Sequence, residues 1–432
     1  MTSRFRAHLR VPLFRDGYAL VANQGVTAAL GLVYWLVAAR AYDARTVGID
    51  TAAISAMMFI AGVAQLNLMS ALLRFVPVLG GARRRRFIAA CYLIAAAAAV
   101  VCALAFLAGI DVWAPALRGL AADGGIAAWF VAATLAWCVF NLQDSALTAL
   151  RAAVVVPISN GVYGVAKLVL LVALVSVSPH WGIYASWTAA LAVVLVPVNA
   201  LVFLRRRGGD VGEATAEAAP TRREIVAFAA PDYAGALLWL AAMTLMPLIV
   251  VGIAGPAWNA YFSVAWMISG PLLGISASTG SAYVVAAAGD AARRAGYARD
   301  LLRQSAWLVI PAAGAIAVAA PWLLRLFGRG YAEHAASTLS LLALSAIPGI
   351  VTTLYVRIYR VERRMRAVVG ALAAQCGAVL ALAPVLLSAM GIAGVGLAWL
   401  ISQTVVALAL VLLDPEALGL RTRAARAAGA PG

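Results

Sequence analysis

The sequence predicts an all-α polytopic membrane protein of about twelve transmembrane helices in two halves of six, and three observations carry that prediction. Hydrophobic residues make up 64% of the 432 and charged residues 12%, with a mean hydropathy of +0.94, a balance that excludes an ordinary water-soluble fold. Apolar runs of about 20 residues, the length needed to cross a ~30 Å hydrocarbon layer, recur along the chain. One long polar stretch then divides those runs into two equal sets.

Taken in order, the runs lie near 16–39, 47–72, 87–109, 125–149, 154–177 and 181–204, then 225–253, 257–286, 304–324, 336–356, 367–388 and 392–413. The basic start followed by Ala38 and Ala39 imitates a cleaved signal peptide, but the first run is too long for one and eleven more follow. It is therefore read as the first helix. An even number of crossings leaves both ends on one side, and arginine marks that side as cytoplasmic. With the N-terminus inside, 27 arginines face inward and only Arg40, Arg45, Arg118, Arg325 and Arg329 face outward. The expected location is a bacterial cytoplasmic (inner) membrane. The net charge of +16 is spread over seven inner segments rather than one patch, which argues against nucleic acid as a partner.

The expected organisation is a six-helix bundle over 1–204, a cytoplasmic linker over 205–224, a second six-helix bundle over 225–413 and a cytoplasmic tail over 414–432. The halves show traces of a repeat. Asp16-Gly17-Tyr18-Ala19 resembles Asp232-Tyr233-Ala234 at an offset of 216, and the second spans match best at about 211. Because each half would begin in the cytoplasm, such a repeat is parallel, with its axis along the membrane normal.

Nothing in the motifs suggests catalysis. Cys91, Cys102, Cys138 and Cys376 sit in apolar runs without metal or redox spacing and read as packing residues. His8, His180 and His334 have no matching acid or thiol pattern, and neither an HExxH run, a nucleophile elbow nor a phosphate loop with its lysine occurs. No cofactor, metal or catalytic residue is expected. A membrane glycan polymerase or glycosyltransferase would need an extramembrane site that these short loops do not offer. A scaffold subunit of a glycan-assembly complex, without transport, is a further reading.

An ionisable group inside a bilayer costs at least a few kcal/mol and normally faces a cavity or a partner. Lys167, the chain's one lysine, lies about thirteen residues into the fifth run, roughly 20 Å from its cytoplasmic end and too deep to snorkel there. It either faces a cavity and meets an anionic substrate or pairs with a carboxylate, of which Asp50 matches best in depth. Asp144 stands a turn and a half inside the fourth run beside Asn141, Gln143 and Ser145. It is solvated from the cytoplasm, paired with Arg151, or the carrier of a coupling proton. Asp232 follows Pro231 and is either a hinge-associated ion site or a local cap. Asp50 and Asp16 are placed as interfacial carboxylates, Asp50 retained as an ion-coupling candidate. Asn23 and Gln24 either line a cavity or bond a neighbouring helix. Arg74, in Leu73-Arg74-Phe75-Val76-Pro77, is an inside anchor or a phosphate contact.

Three stretches carry a resemblance: Ala39-Arg40 with Val47-Gly48, then Leu73-Arg74-Phe75-Val76-Pro77, then Gln143-Asp144-Ser145 with Leu150-Arg151 and Lys167. On these the chain resembles the polysaccharide transporter branch of the multidrug/oligosaccharidyl-lipid/polysaccharide exporter superfamily, the flippases of O-antigen and lipid-linked oligosaccharides. The resemblance implies two six-helix bundles around a central cavity of alternating access, and movement of a polyprenyl-diphosphate-linked glycan to the outer leaflet for cell-surface polysaccharide, including lipopolysaccharide. It also implies substrate contacts at Lys167 and Arg74, membrane lipids as surroundings and glycan-assembly proteins as partners. A cation-coupled multidrug antiporter of the same superfamily is the alternative. Its cationic substrates would want carboxylates in the cavity, which Asp144 and Asp232 could provide.

Overall fold

The computed structural model describes residues 12–178, 180–204, 221–289, 294–416 and 418. Most of the predicted linker and tail, and the basic N-terminal residues up to 11, lie outside that set. The described chain is helical throughout, and the helices fall where the apolar runs do. The first half comprises α1 (Pro12–Ala41), α2 (Ala44–Ala64), α3 (Leu68–Phe75), α4 (Gly81–Ala108), α5 (Gly124–Ala149), α6 (Val155–Leu174) and α7 (Gly182–Leu204). The second comprises α8 (Arg222–Thr244), α9 (Met246–Ile253), α10 (Pro256–Gly289), α11 (Arg294–Arg325), α12 (Arg329–Val361), α13 (Met365–Met390) and α14 (Ile392–Leu413). Among the described residues, ten segments are long and apolar enough to cross a membrane, so the chain is a multi-pass membrane protein.

Local chemistry starts these helices as the sequence dictates. Asp43 caps α2, accepting from Thr46 N at 2.9 Å and Thr46 Oγ1 at 2.8 Å. Asp123 caps α5 through Gly125 N and Ile126 N. Thr221 and Glu224 form a reciprocal box at the start of α8, Thr221 N donating to Glu224 Oε2 and Glu224 N to Thr221 Oγ1. Hydrogen bonding from the Thr221 backbone, and then from its side chain, holds the Glu224 carboxyl below the usual carboxylate range.

Two spans are interrupted. The second, read from sequence as one run, breaks after Ala64: Leu66 (φ 48°) and Asn67 (φ 55°) both take left-handed conformations before α3 begins. Asn67 suits that region, since its side chain accepts from Ser70 Oγ at 2.8 Å, whereas Leu66 carries a Cβ there at a cost of roughly 1–2 kcal/mol. The break leaves the Val63 carbonyl without its ordinary helical donor, and Tyr233 Oη supplies a hydrogen bond at 2.5 Å. The seventh span corrects an expectation. Helix α8 passes through Pro231 and Asp232 without interruption, so Asp232 is not a cap; the ladder breaks at Leu245 instead, before Pro247 in the first turn of α9.

The chain divides into two compact units, Met1–Leu240 and Ala241–Gly432. In the first, α5 packs on α2, α3, α4 and α7, while α6 lies between α1 and α7. Gly164 lets α1 approach α6 closely: a Cβ there would fall 2.7 Å from Leu30 Cδ1. In the second, α12 touches α10, α11, α13 and α14, and the side chains of Leu272, Val309, Ala313, Ala343, Ala346 and Ile350 interlock at its core.

Backbone details recur between the units. After α5, Ala152 N bonds Leu147 O and Arg151 N bonds Thr148 O, with Arg151 left-handed at φ 52°. After α12, Arg364 N bonds Tyr359 O and Arg363 N bonds Arg360 O, with Arg363 left-handed at φ 58°. Both are Schellman closures 212 positions apart, each with arginine where glycine is usual. Trp181 and Gly391, one residue before α7 and α14, are both left-handed as well, 210 positions apart. Replacing Arg151 or Arg363 with glycine relieves the Cβ clash and should raise stability by about 1 kcal/mol each. Melting in detergent measures it. A fall in melting temperature would show that the guanidinium contributes more than its backbone costs.

Candidate functional site: a caged lysine and a buried carboxylate

Lys167 is 6% exposed, on the α6 face that also carries Tyr163 one turn earlier. Its Nζ lies 3.6 Å from the centroid of the Trp187 ring, 4.7 Å from that of Tyr34 and 5.2 Å from that of Tyr163. Each aromatic face turns negative charge toward the ammonium, worth about 2 kcal/mol or more when water is excluded. The rings are themselves fixed. Tyr34 Oη donates to Ile183 O at 3.0 Å and shares a 2.8 Å bond with Ser186 Oγ, and Tyr163 Oη donates to Trp187 O at 3.1 Å. Every one of these acceptors belongs to the first two turns of α7.

Asp50 serves the same two turns rather than the lysine. Its Oδ2 accepts from Ile183 N at 3.0 Å and Tyr184 N at 2.9 Å, so a carboxylate from α2 satisfies two of the unpaired amides at the start of α7. At 1% exposure it is a buried helix cap and not the interfacial group expected from sequence. Nor is it the counter-ion of Lys167, which makes no ion pair or hydrogen bond among the described residues.

A second polar cluster links α1, α5 and α6. Asn160 Nδ2 donates to Asn23 Oδ1 at 3.1 Å and to Asp144 Oδ2 at 3.0 Å, which makes Asn23 a helix-bonding residue. Asp144 Oδ1 and Asn160 Oδ1 are buried without hydrogen-bond partners. Asp144 is half-buried, its Oδ1 covered, and it makes no ion pair with Arg151, whose side chain is exposed. Beside it Asn199 Nδ2 donates to Gln143 Oε1 at 3.2 Å. Asp232 is half-buried on α8, while Gln24 and Arg74 are exposed and belong to neither cluster; the side chain of Asp16 lies outside the described residues. No group of three or more His, Cys, Asp or Glu able to hold a metal occurs among the described residues.

Sequence reading missed Tyr34, Tyr163 and Trp187, because aromatic residues in apolar runs read as packing. It also missed Asn160, for which the signal was present: an amide in the middle of an apolar run, the same feature that singled out Asn23.

The dual role of α7 sets a stability test. Asp50→Ala would strand two buried amides and should cost about 3 kcal/mol, whereas Asp50→Asn keeps an acceptor and should recover roughly half. Thermal melts of the purified variants decide it; equal losses would mean that the charge, and not the pair of hydrogen bonds, is what α7 requires.

No family model matches the sequence, and no curated protein matches it. Solved structures do. The inward-facing conformation of a multidrug resistance MATE family transporter of the MOP superfamily aligns with a TM-score of 0.68 at 14% identity, covering 95% of this chain and 99% of that one. The lipid II flippase MurJ, in an inward closed conformation, aligns with a TM-score of 0.73 at 10% identity over 92% and 87%. A MOP superfamily transporter from Pyrococcus furiosus, whose binding pocket is described as reversed in polarity, aligns at 0.64 and 14% identity over 95% and 96%. Along nearly its whole length, this chain has the fold shared by those transporters.

Proposed function

We propose that the protein is an alternating-access flippase that exports a polyprenyl-diphosphate-linked oligosaccharide across a bacterial inner membrane, both termini cytoplasmic, for cell-surface polysaccharide synthesis. The observation that carries this reading is the pair of unneutralised charges in the first unit. Lys167 is a buried cation with no anion among the described residues, and Asp144 is a half-buried carboxylate, its Oδ1 fully covered, with no cation among the described residues. A diphosphate would neutralise the first and a proton or alkali cation the second, the arrangement expected of an exporter that exchanges a cation for an anionic lipid. In the conformation described, aromatic rings hold Lys167 in reserve; substrate would draw the ammonium from them, exchanging cation–π contacts for stronger charge-assisted hydrogen bonds. The fold shared with a lipid II flippase supports the substrate class.

The second reading, a cation-coupled multidrug antiporter, is favoured by Asp144 and by the multidrug transporters that share the fold. Its substrate would be cationic, and Lys167 would oppose it.

Reconstituted vesicles separate the two. The wild type should translocate polyprenyl-diphosphate-oligosaccharide, Lys167→Ala should abolish the activity at matched protein levels, and Lys167→Arg should retain part of it. A wild type inert toward that lipid yet moving organic cations would replace the flippase with the antiporter. Asp144→Asn preserves the hydrogen bond to Asn160 while removing the charge, so transport should lose its response to an imposed proton or sodium gradient. An unaltered response would take coupling away from Asp144.

A further inference from the structure

Arg83 to Arg86 open α4 as four consecutive cations, and two of them line a cleft. Arg84 and Arg85 stand over Ile88 on α4, Leu147 at the end of α5, and Leu201 and Val202 at the end of α7, around a cleft of about 40 Å³ that is partly open to solvent. Apart from the two arginines the walls are apolar. The three helices are membrane-spanning segments and these residues sit at their ends, so the cleft lies where hydrocarbon gives way to headgroups.

Neither guanidinium has a hydrogen bond or ion pair among the described residues. The nearby acceptors at the end of α5 are already taken: Ala146 O by Leu150 N, Thr148 O by Arg151 N and Leu147 O by Ala152 N. Two forked donors above an apolar slot match a molecule with an anionic head and an apolar body.

We infer that this cleft binds the phosphate of an anionic phospholipid, its headgroup on Arg84 and Arg85 and the first carbons of an acyl chain along Ile88, Leu147, Leu201 and Val202. Guanidinium forks fit phosphate oxygens in pairs. The apolar walls continue from the arginines toward the hydrocarbon layer, which favours a lipid over free phosphate, and basic pockets at the ends of membrane helices recognise anionic headgroups. The lipid would tie α4, α5 and α7 together and stabilise the first unit independently of which substrate is carried.

The test uses the full chain purified in detergent and follows its melting temperature as phosphatidylglycerol, phosphatidylcholine or inorganic phosphate is added. Phosphatidylglycerol should raise the melting temperature of the wild type, and the other two should not. Near a membrane surface each arginine contributes about 1 kcal/mol, so Arg84→Gln/Arg85→Gln should need roughly 10- to 30-fold more phosphatidylglycerol for the same rise. Arg83→Gln/Arg86→Gln removes equal charge outside the cleft and should respond like the wild type. The inference fails if phosphatidylglycerol has no effect, if inorganic phosphate reproduces it, or if both double variants weaken equally, the mark of diffuse attraction. Should Arg84→Gln/Arg85→Gln not fold, as judged by its melt in phosphatidylcholine, the single variant Arg85→Gln is read in the same titration, with an expected weakening of about fivefold.

Discussion

A charge that water cannot reach must be held by something else, and much of the first unit is arranged around how Lys167 is held. Moving an ammonium into a low-dielectric interior costs several kcal/mol even after relaxation. A carboxylate would be the simplest remedy, but Asp50, the acid of matching depth, is committed to the amides of Ile183 and Tyr184. Three aromatic faces take its place, and together they offset a cost of that size. The two solutions are coupled. Asp50 orders the first turn of α7, and that turn and the next supply Trp187 together with the acceptors that orient Tyr34 and Tyr163. A helix cap contributed by α2 therefore determines whether a cation on α6 can remain buried.

The spans were legible because the bilayer dictates the length of an apolar run, and all twelve predicted runs coincide with helices. Interruptions were less so. Pro247 marks the break in the seventh span, yet sequence reading weighed a hinge only at Pro231, where the helix in fact continues. Nothing between Gln65 and Asn67 announces the break in the second, since neither glycine nor proline is there. At the site, Lys167, Asp144 and Asn23 could be singled out because polar atoms in lipid are costly wherever they point. Their partners could not. Asp50 binds backbone amides 133 and 134 positions away, and a backbone partner leaves no trace in side-chain identity.

The two units share backbone devices but not chemistry. The left-handed arginines after α5 and α12, and the left-handed residues before α7 and α14, recur at 210 to 212 positions. At those offsets from Lys167 the second unit has Gly377, Ala378 and Val379; from Asp144 it has Leu354, Tyr355 and Val356; from Asp50 it has Ala260, Tyr261 and Phe262. None of the nine is a charged residue. A strained arginine in place of glycine, repeated in both units, is a feature of how each unit is built. Lys167 and Asp144 have no charged counterpart at the matching positions of the second unit, so the devices that recur in both units do not require them. Burying Lys167 costs stability where it stands, whereas Asp50 offsets its own burial by capping α7. If the protein is the exporter proposed above, that cost is intelligible, because Lys167 and Asp144 would meet the ions it moves.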